Sequence, residues 1–201
     1  MNRRQFIKTT AGAAAFLATA RRAYPFAQSS QLTKWAQKIR GVTDIPISAP
    51  GLDPFYGAAV DFHQIEIVEF ADQLHPALGP TKLWGYNPLS PLVPTVTNRH
   101  LGGLIVAERG RAVRLRATNK LTGAPLVPVD QTIPGANLGA TRTAIHLHGG
   151  LVPWISDGGP YNWFGPSVGP SFQNGAIPGA PNGTPTADYY YPNDQSARML
   201  W

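Results

Sequence analysis

Two histidines separated by one residue, His146 and His148, are the side chains of this 201-residue sequence best suited to metal chemistry. On an extended strand, side chains at i and i+2 project from the same face, about 7 Å apart at Cα. Both imidazoles should therefore project together, while Ile145 and Leu147 point into a core. Imidazole binds Cu, Zn, Fe and Ni, so the pair predicts ligands for one metal or for two adjacent metals. The alternative is two histidines that only bond to the backbone.

The rest of the composition restricts the other metal ligands. The sequence contains no cysteine, which excludes a thiolate site or a disulfide within this chain. Three further histidines, His63, His75 and His100, have no partner at ligand spacing. We interpret them as surface or structural residues.

The elements that must position the pair are predicted to be short strands, because 21 glycines and 20 prolines are spread along the chain. Strand patterns occur at 63–70, with a bulge or strand end near Val68, and at 102–119, 141–150 and 187–192. The 102–119 segment reads as a hairpin, with Arg114 and Arg116 on a solvated strand face. A long Gly/Pro-rich loop spans 165–185. The predicted fold is an all-β sandwich of short antiparallel strands.

The N-terminal 27 residues have the pattern of an export signal. They hold five of the 17 basic residues and no acidic one, so the remainder is nearly neutral and nucleic acid is not expected as a partner. A basic start, Arg3-Arg4, and a short apolar run are typical of a twin-arginine signal and too short for a membrane anchor. We predict a periplasmic or extracellular protein with a signal at 1–27, an extended arm at 28–60 and one domain at 61–201.

Several motifs together resemble the multicopper oxidase family, in particular bacterial spore-coat laccases and bilirubin oxidases. HLHGG followed by SDGGPYNWF is similar to the family's first copper motif. The segments QLHPALGPTKLWGYN, GLIVAERGRAVRLRATNKL and ADYYYPNDQSARMLW are also similar to segments of its first domain. The resemblance covers about residues 60–201. The segment PLSPLVPTVTNRHLGG and the long loop at 165–185 depart from the family's pattern.

The resemblance implies a cupredoxin-like Greek-key β-sandwich that forms the first domain of a larger oxidase. It implies that His146 binds a type 2 copper and His148 a type 3 copper of a trinuclear cluster. Asp157 is implied as a catalytic acid that delivers protons for the reduction of O2 to water. The electrons would come from a phenol, a pigment or a metal ion, through a type 1 copper in a C-terminal domain. The family's second copper motif would begin where this sequence ends, so the resemblance implies that the first domain is incomplete at its C-terminus. We expect the remaining ligands to follow Trp201, in the rest of this domain and in further cupredoxin domains of the same chain.

Two other functions remain open from the sequence. A non-enzymatic cupredoxin-like copper-binding or scaffold module would also carry two ligands of an incomplete cluster. A zinc hydrolase of the amidohydrolase kind also opens with His-x-His on a strand, but its barrel needs a helix after each strand. The weak helical periodicity of this sequence disfavours the hydrolase.

Overall fold

The computed structural model describes residues 31–38, 40–92, 100–123, 125, 127–133, 136–160, 162–167 and 185–196. The chain divides into two compact units, Met1–Ala36 and Gln37–Trp201. Of the first unit, only residues 31–36 are described, and Trp35 is exposed there. The predicted signal at 1–27 lies outside the described residues and stays a prediction. Among the residues that are described, no helix is long and apolar enough to cross a membrane.

The second unit is built on one five-stranded sheet, which confirms the predicted all-β class. The strands are β1 (Gly51–Asp53), β2 (Gly57–Asp72), β3 (Thr81–Pro88), β4 (Val113–Asn119) and β5 (Thr186–Tyr191). The helical elements in the described part of the chain are three single 3-10 turns, Val42–Asp44, Ala136–Leu138 and Trp154–Ser156. The sheet order is β1-β2-β4-β5, and β3 also pairs with β2.

The long strand β2 organises the sheet. One of its edges pairs antiparallel with β1 and then with β3, and its other edge pairs in parallel with β4. Its ladder with β3 is unbroken from Ile65 to Asp72, so the bulge predicted near Val68 is wrong. The outer end of β2 alternates between half-buried and exposed residues, which explains why the apolar pattern loses its phase there. β2 begins at Gly57, within the segment predicted as an arm, while the domain division itself stays a prediction.

The hairpin predicted for 102–119 is also wrong. Leu104 forms an isolated parallel bridge with Ile47, and β4 pairs with β2 and β5. The tight turn at Gly110, which has a positive φ, therefore leads into β4 without pairing the two halves of the segment. Because β2 and β4 are parallel, the sheet is mixed rather than purely antiparallel.

The core lies on one face of the sheet and is closed by segments outside the strands. Alternate residues of β2, β4 and β5 fill it, and they are Ile65, Ile67, Val113, Leu115, Ala117, Ala187, Tyr189 and Tyr191. Leu121, Ile145 and Phe164 complete the cluster from connecting segments. The His-x-His segment is thus tied to the core through Ile145. The Gly/Pro-rich loop falls mostly on residues 168–184, outside the described residues.

The other face of the sheet carries a buried charge cluster where a solvated face was predicted. The Arg114 side chain is fully buried and forms ion pairs with Asp188 and, at 3.5 Å, with Asp53. The Arg116 guanidinium also binds the Asp188 carboxylate, with Nε 2.8 Å from Oδ1. Both guanidiniums lie over the Phe62 ring, 5.8 and 5.2 Å from its centroid. The prediction was wrong because alternation assigns a side chain to a face but does not reveal what covers that face.

Candidate metal-ligand site

The segment predicted as a strand at 141–150 forms only one isolated β-bridge. Thr143 and Phe164 exchange backbone hydrogen bonds of 2.8 and 2.9 Å. Two residues further on, the Ile145 N–H donates to the Tyr189 hydroxyl at 3.2 Å. A turn follows, in which the Gly150 N–H donates to the Leu147 carbonyl. Part of the support for this segment therefore comes from a side chain rather than from a strand ladder.

The alternation expected of the segment is nevertheless present. Ile145 is buried in the core and Leu147 packs against it, whereas His146 and His148 are exposed. The two imidazole centroids are 6.1 Å apart and their planes are inclined by 40°. The structure thus places two imidazoles side by side on an accessible surface.

One nitrogen of His146 is already engaged by Asp157. The His146 Nδ1 lies 2.6 Å from the Asp157 backbone carbonyl and 3.2 Å from its carboxylate Oδ1. A carbonyl oxygen only accepts, so Nδ1 carries the proton and the lone pair of the neutral ring is on Nε2. This is the arrangement in which a metal-binding histidine donates its other ring N–H to a protein oxygen. Sequence reasoning did not find this acceptor, because a backbone carbonyl leaves no mark on residue type.

The Asp157 carbonyl is held in place by the 3-10 turn Trp154–Ser156. Asp157 caps this turn, and its N–H donates to the Trp154 carbonyl at 3.3 Å. The buried Ser156 hydroxyl accepts the Tyr190 N–H of β5 at 2.9 Å. The geometry is compatible with the implied role of Asp157 in proton delivery, since its backbone caps the turn while its half-exposed carboxylate lies beside His146.

Gly158 is a required residue that the sequence did not single out for this role. Its φ is +73°, in the left-handed region, and a Cβ there would collide with the Ile145 carbonyl. Glycine is therefore needed for both the backbone conformation and the close approach of the two segments. This contact brings the turn after Asp157 against the backbone next to His146.

The other three histidines lie in structural contacts, in keeping with their interpretation. His63 is buried, with Nδ1 2.9 Å from the Ser48 hydroxyl, and burial lowers its pKa. The His100 Nδ1 lies 2.6 Å from Asp72, which Arg40 also binds. The His75 Nδ1 accepts a backbone N–H at 3.1 Å. No group of three or more potential metal-ligating residues occurs within the described ranges.

Comparisons with known proteins give consistent relatives. No protein-family model matches the chain. A laccase of Bacillus subtilis is 32% identical over 147 residues, which are 70% of this chain and 24% of the laccase. A bilirubin oxidase of Albifimbria verrucaria is 27% identical over 159 residues, 78% of this chain and 20% of the oxidase. The solved structure of a laccase from Pediococcus acidilactici covers 84% of this chain and 26% of its own, with 17% identity and a TM-score of 0.42. The chain thus spans about a quarter or less of the length of these relatives.

Proposed function

This chain belongs to the multicopper oxidase family with a cupredoxin-like all-β fold, and from that premise we propose that it is the N-terminal part of a laccase-like oxidase. The proposed reaction couples one-electron oxidation of a phenolic, pigment or metal-ion substrate to the reduction of O2 to water. In this proposal His146 holds a type 2 copper and His148 a type 3 copper of a cluster completed by ligands elsewhere in the complete protein. Copper, when bound, supplies the one-electron chemistry, and the protein determines where it sits.

The observation that carries the proposal is the hydrogen bond that orients the His146 ring. Its Nδ1–H donates to the Asp157 carbonyl at 2.6 Å, which leaves Nε2 as the ligand nitrogen. The neighbouring His148 ring, 6.1 Å away between centroids, offers a second nitrogen donor on the same exposed surface. Two imidazoles fit the donor set that copper accepts, and they account for part of a coordination sphere.

Asp157 is proposed to serve the reaction through its carboxylate. The reduction of O2 to water consumes protons, and a positioned carboxyl group can hold a proton and release it into a site. The Asp157 side chain is 50% exposed and its Oδ1 is 3.2 Å from the His146 Nδ1. It therefore contacts both solvent and a ligand residue, as a proton donor to the cluster must.

The structure also bears on the alternatives. A zinc hydrolase barrel alternates strands with α-helices, whereas the helical elements described here are single 3-10 turns. The scaffold-module alternative predicts that copper binds without any O2 consumption, so activity separates it from an oxidase. We propose export through the twin-arginine pathway as well, on the sequence pattern of residues 1–27.

The test uses the protein produced from its complete gene. His146→Ala and His148→Ala should each abolish O2 consumption with a phenolic reductant, while the blue absorption of the type 1 copper stays. His75→Ala is the control, because that ring lies in a different segment, where its Nδ1 accepts the Ala77 N–H. If both ligand variants consume O2 at the parental rate, the ligand assignment is wrong.

A further inference from the structure

We infer that Tyr189 is a positioning residue for His146: its buried hydroxyl fixes the backbone from which the ligand ring projects. The inference rests on the proposed role of His146 as a copper ligand. It assigns a function to a β5 residue that does not itself belong to the His-x-His motif. Three observations lead to it.

The first observation is the hydrogen bond itself. The Ile145 N–H, one residue before His146, donates to the Tyr189 hydroxyl at 3.2 Å. Tyr189 has no exposed surface, and a phenolic hydroxyl buried without a partner would be costly. The hydroxyl therefore accepts the hydrogen bond that a carbonyl of a neighbouring strand would otherwise accept, and it satisfies the Ile145 N–H of this irregular segment.

The second observation is that Tyr190, the next residue of β5, holds the turn that orients the His146 ring. The Tyr190 N–H donates to the Ser156 hydroxyl at 2.9 Å, and Ser156 precedes Asp157, whose carbonyl accepts the His146 Nδ1–H. Two consecutive residues of β5 thus hold the backbone before His146 and the oxygen that orients its ring. Gly158 packs against the Ile145 carbonyl and so brings the turn that contains Asp157 against the backbone before His146.

The third observation is a neighbouring tyrosine that lacks this contact. Tyr191 lies on the same core face, with its ring stacked 6.2 Å from that of Tyr189 between centroids. Its buried hydroxyl has no hydrogen-bond partner among the described residues. β4 pairs with both, through Leu115 opposite Tyr189 and Val113 opposite Tyr191. The two tyrosines share strand, face and burial, and they differ in the bond to the His-x-His segment.

This difference supplies a matched experiment on the 201-residue chain without metal. In Tyr189→Phe, the Ile145 N–H loses its acceptor, so the His146 ring should lose its fixed orientation. Nitrogen-15 NMR of labelled histidine should show one tautomer, protonated at Nδ1, for His146 in the parent and in Tyr191→Phe. It should show a mixture of both tautomers in Tyr189→Phe. A variant that is less stable but still folded, and that keeps this backbone in place, retains the parental tautomer, so the comparison is made on variants whose folding is verified by circular dichroism.

A copper titration and a second variant complete the test. The affinity of the chain for Cu(II) should fall about tenfold in Tyr189→Phe, the lower end for outer partners of metal ligands, and stay unchanged in Tyr191→Phe. Ser156→Ala, which frees the turn that carries Asp157, should give the same tautomer mixture and serves if Tyr189→Phe does not fold. An unaltered His146 tautomer in the Tyr189 and Ser156 variants, or equal changes in both tyrosine variants, overturns the inference. A tautomer difference between the two tyrosine variants supports the positioning by Tyr189 even if the chain alone binds no Cu(II). The proposed function fails separately, if His146→Ala and His148→Ala in the complete protein consume O2 at the parental rate.

Discussion

The substitution Asp188→Asn removes one negative charge from the buried charge cluster on the sheet face opposite the core, and it should severely destabilise this domain. The Asp188 carboxylate binds both Arg114 and Arg116, and Asp53 provides a second, more distant carboxylate at 3.5 Å from Arg114. The Arg114 and Asp188 side chains have no exposed surface. Asp188→Asn keeps the shape of the side chain but leaves two guanidinium charges facing one carboxylate.

The expected cost follows from the burial of this pair. Breaking a fully buried ion pair by neutralising one partner costs about 3–5 kcal/mol, because the remaining charge stays desolvated. That is a large part of the roughly 5–15 kcal/mol by which a domain is stable. With a urea dependence of about 2 kcal/mol per M, the unfolding midpoint should fall by about 1.5–2.5 M.

Urea unfolding followed by circular dichroism measures this shift, and Asp61→Asn provides the control. Asp61 also pairs with an arginine, Arg111 at 2.6 Å, but the Arg111 side chain is 41% exposed to solvent. Solvent screens such a pair, so its loss should move the midpoint far less. The reasoning is refuted if Asp188→Asn shifts the midpoint no more than Asp61→Asn does.

Three further predictions concern the site and its support. Gly158→Ala should destabilise the domain by roughly 1–2 kcal/mol from the left-handed backbone alone, and further through the collision of its Cβ with the Ile145 carbonyl. Gly159→Ala is the control and should cost little, because open space surrounds the added Cβ. Equal urea midpoints for the two variants would contradict the close approach. Asp157→Asn in the complete oxidase keeps the backbone carbonyl that orients His146 but removes the carboxylic acid. The rate of O2 consumption should therefore fall at least about tenfold, with a changed pH profile. A parental rate and pH profile would show that the Asp157 carboxyl group takes no part in the reaction. Burial lowers the pKa of His63 below its ordinary 6.5. The unfolded chain therefore binds the proton at a higher pH than the folded chain, and the free energy of unfolding should decrease as the pH falls below about 6.5. His63→Gln should flatten this dependence between about pH 5 and 7, and an unchanged slope would show that His63 does not cause it.

The part of the fold that the sequence predicts best is the part governed by local alternation. Val113, Leu115 and Ala117 of β4 are buried as expected, and β5 forms where β-forming residues cluster. The exposure of His146 and His148 around a buried Ile145 follows the same rule. Such patterns depend only on neighbouring residues and the geometry of extended backbone.

The features that the sequence mispredicts depend on distant segments. Arg114 is buried because Asp188 and Asp53 lie beside it, and neither is near it in sequence. β4 pairs with β2, about 50 residues earlier, rather than with the segment that precedes its turn. The Asp157 carbonyl and the Tyr189 hydroxyl reach the His-x-His segment only in the folded chain. Tertiary pairing of this kind outweighs local turn signals.

The most direct test of the central claim is electron paramagnetic resonance of the copper-loaded protein produced from the complete gene. The claim is that His146 binds the type 2 copper through Nε2, with Nδ1 held by the Asp157 carbonyl. His146→Ala should lose the type 2 signal and retain the blue absorption band. A His146→Ala protein that keeps a parental type 2 signal would contradict this assignment.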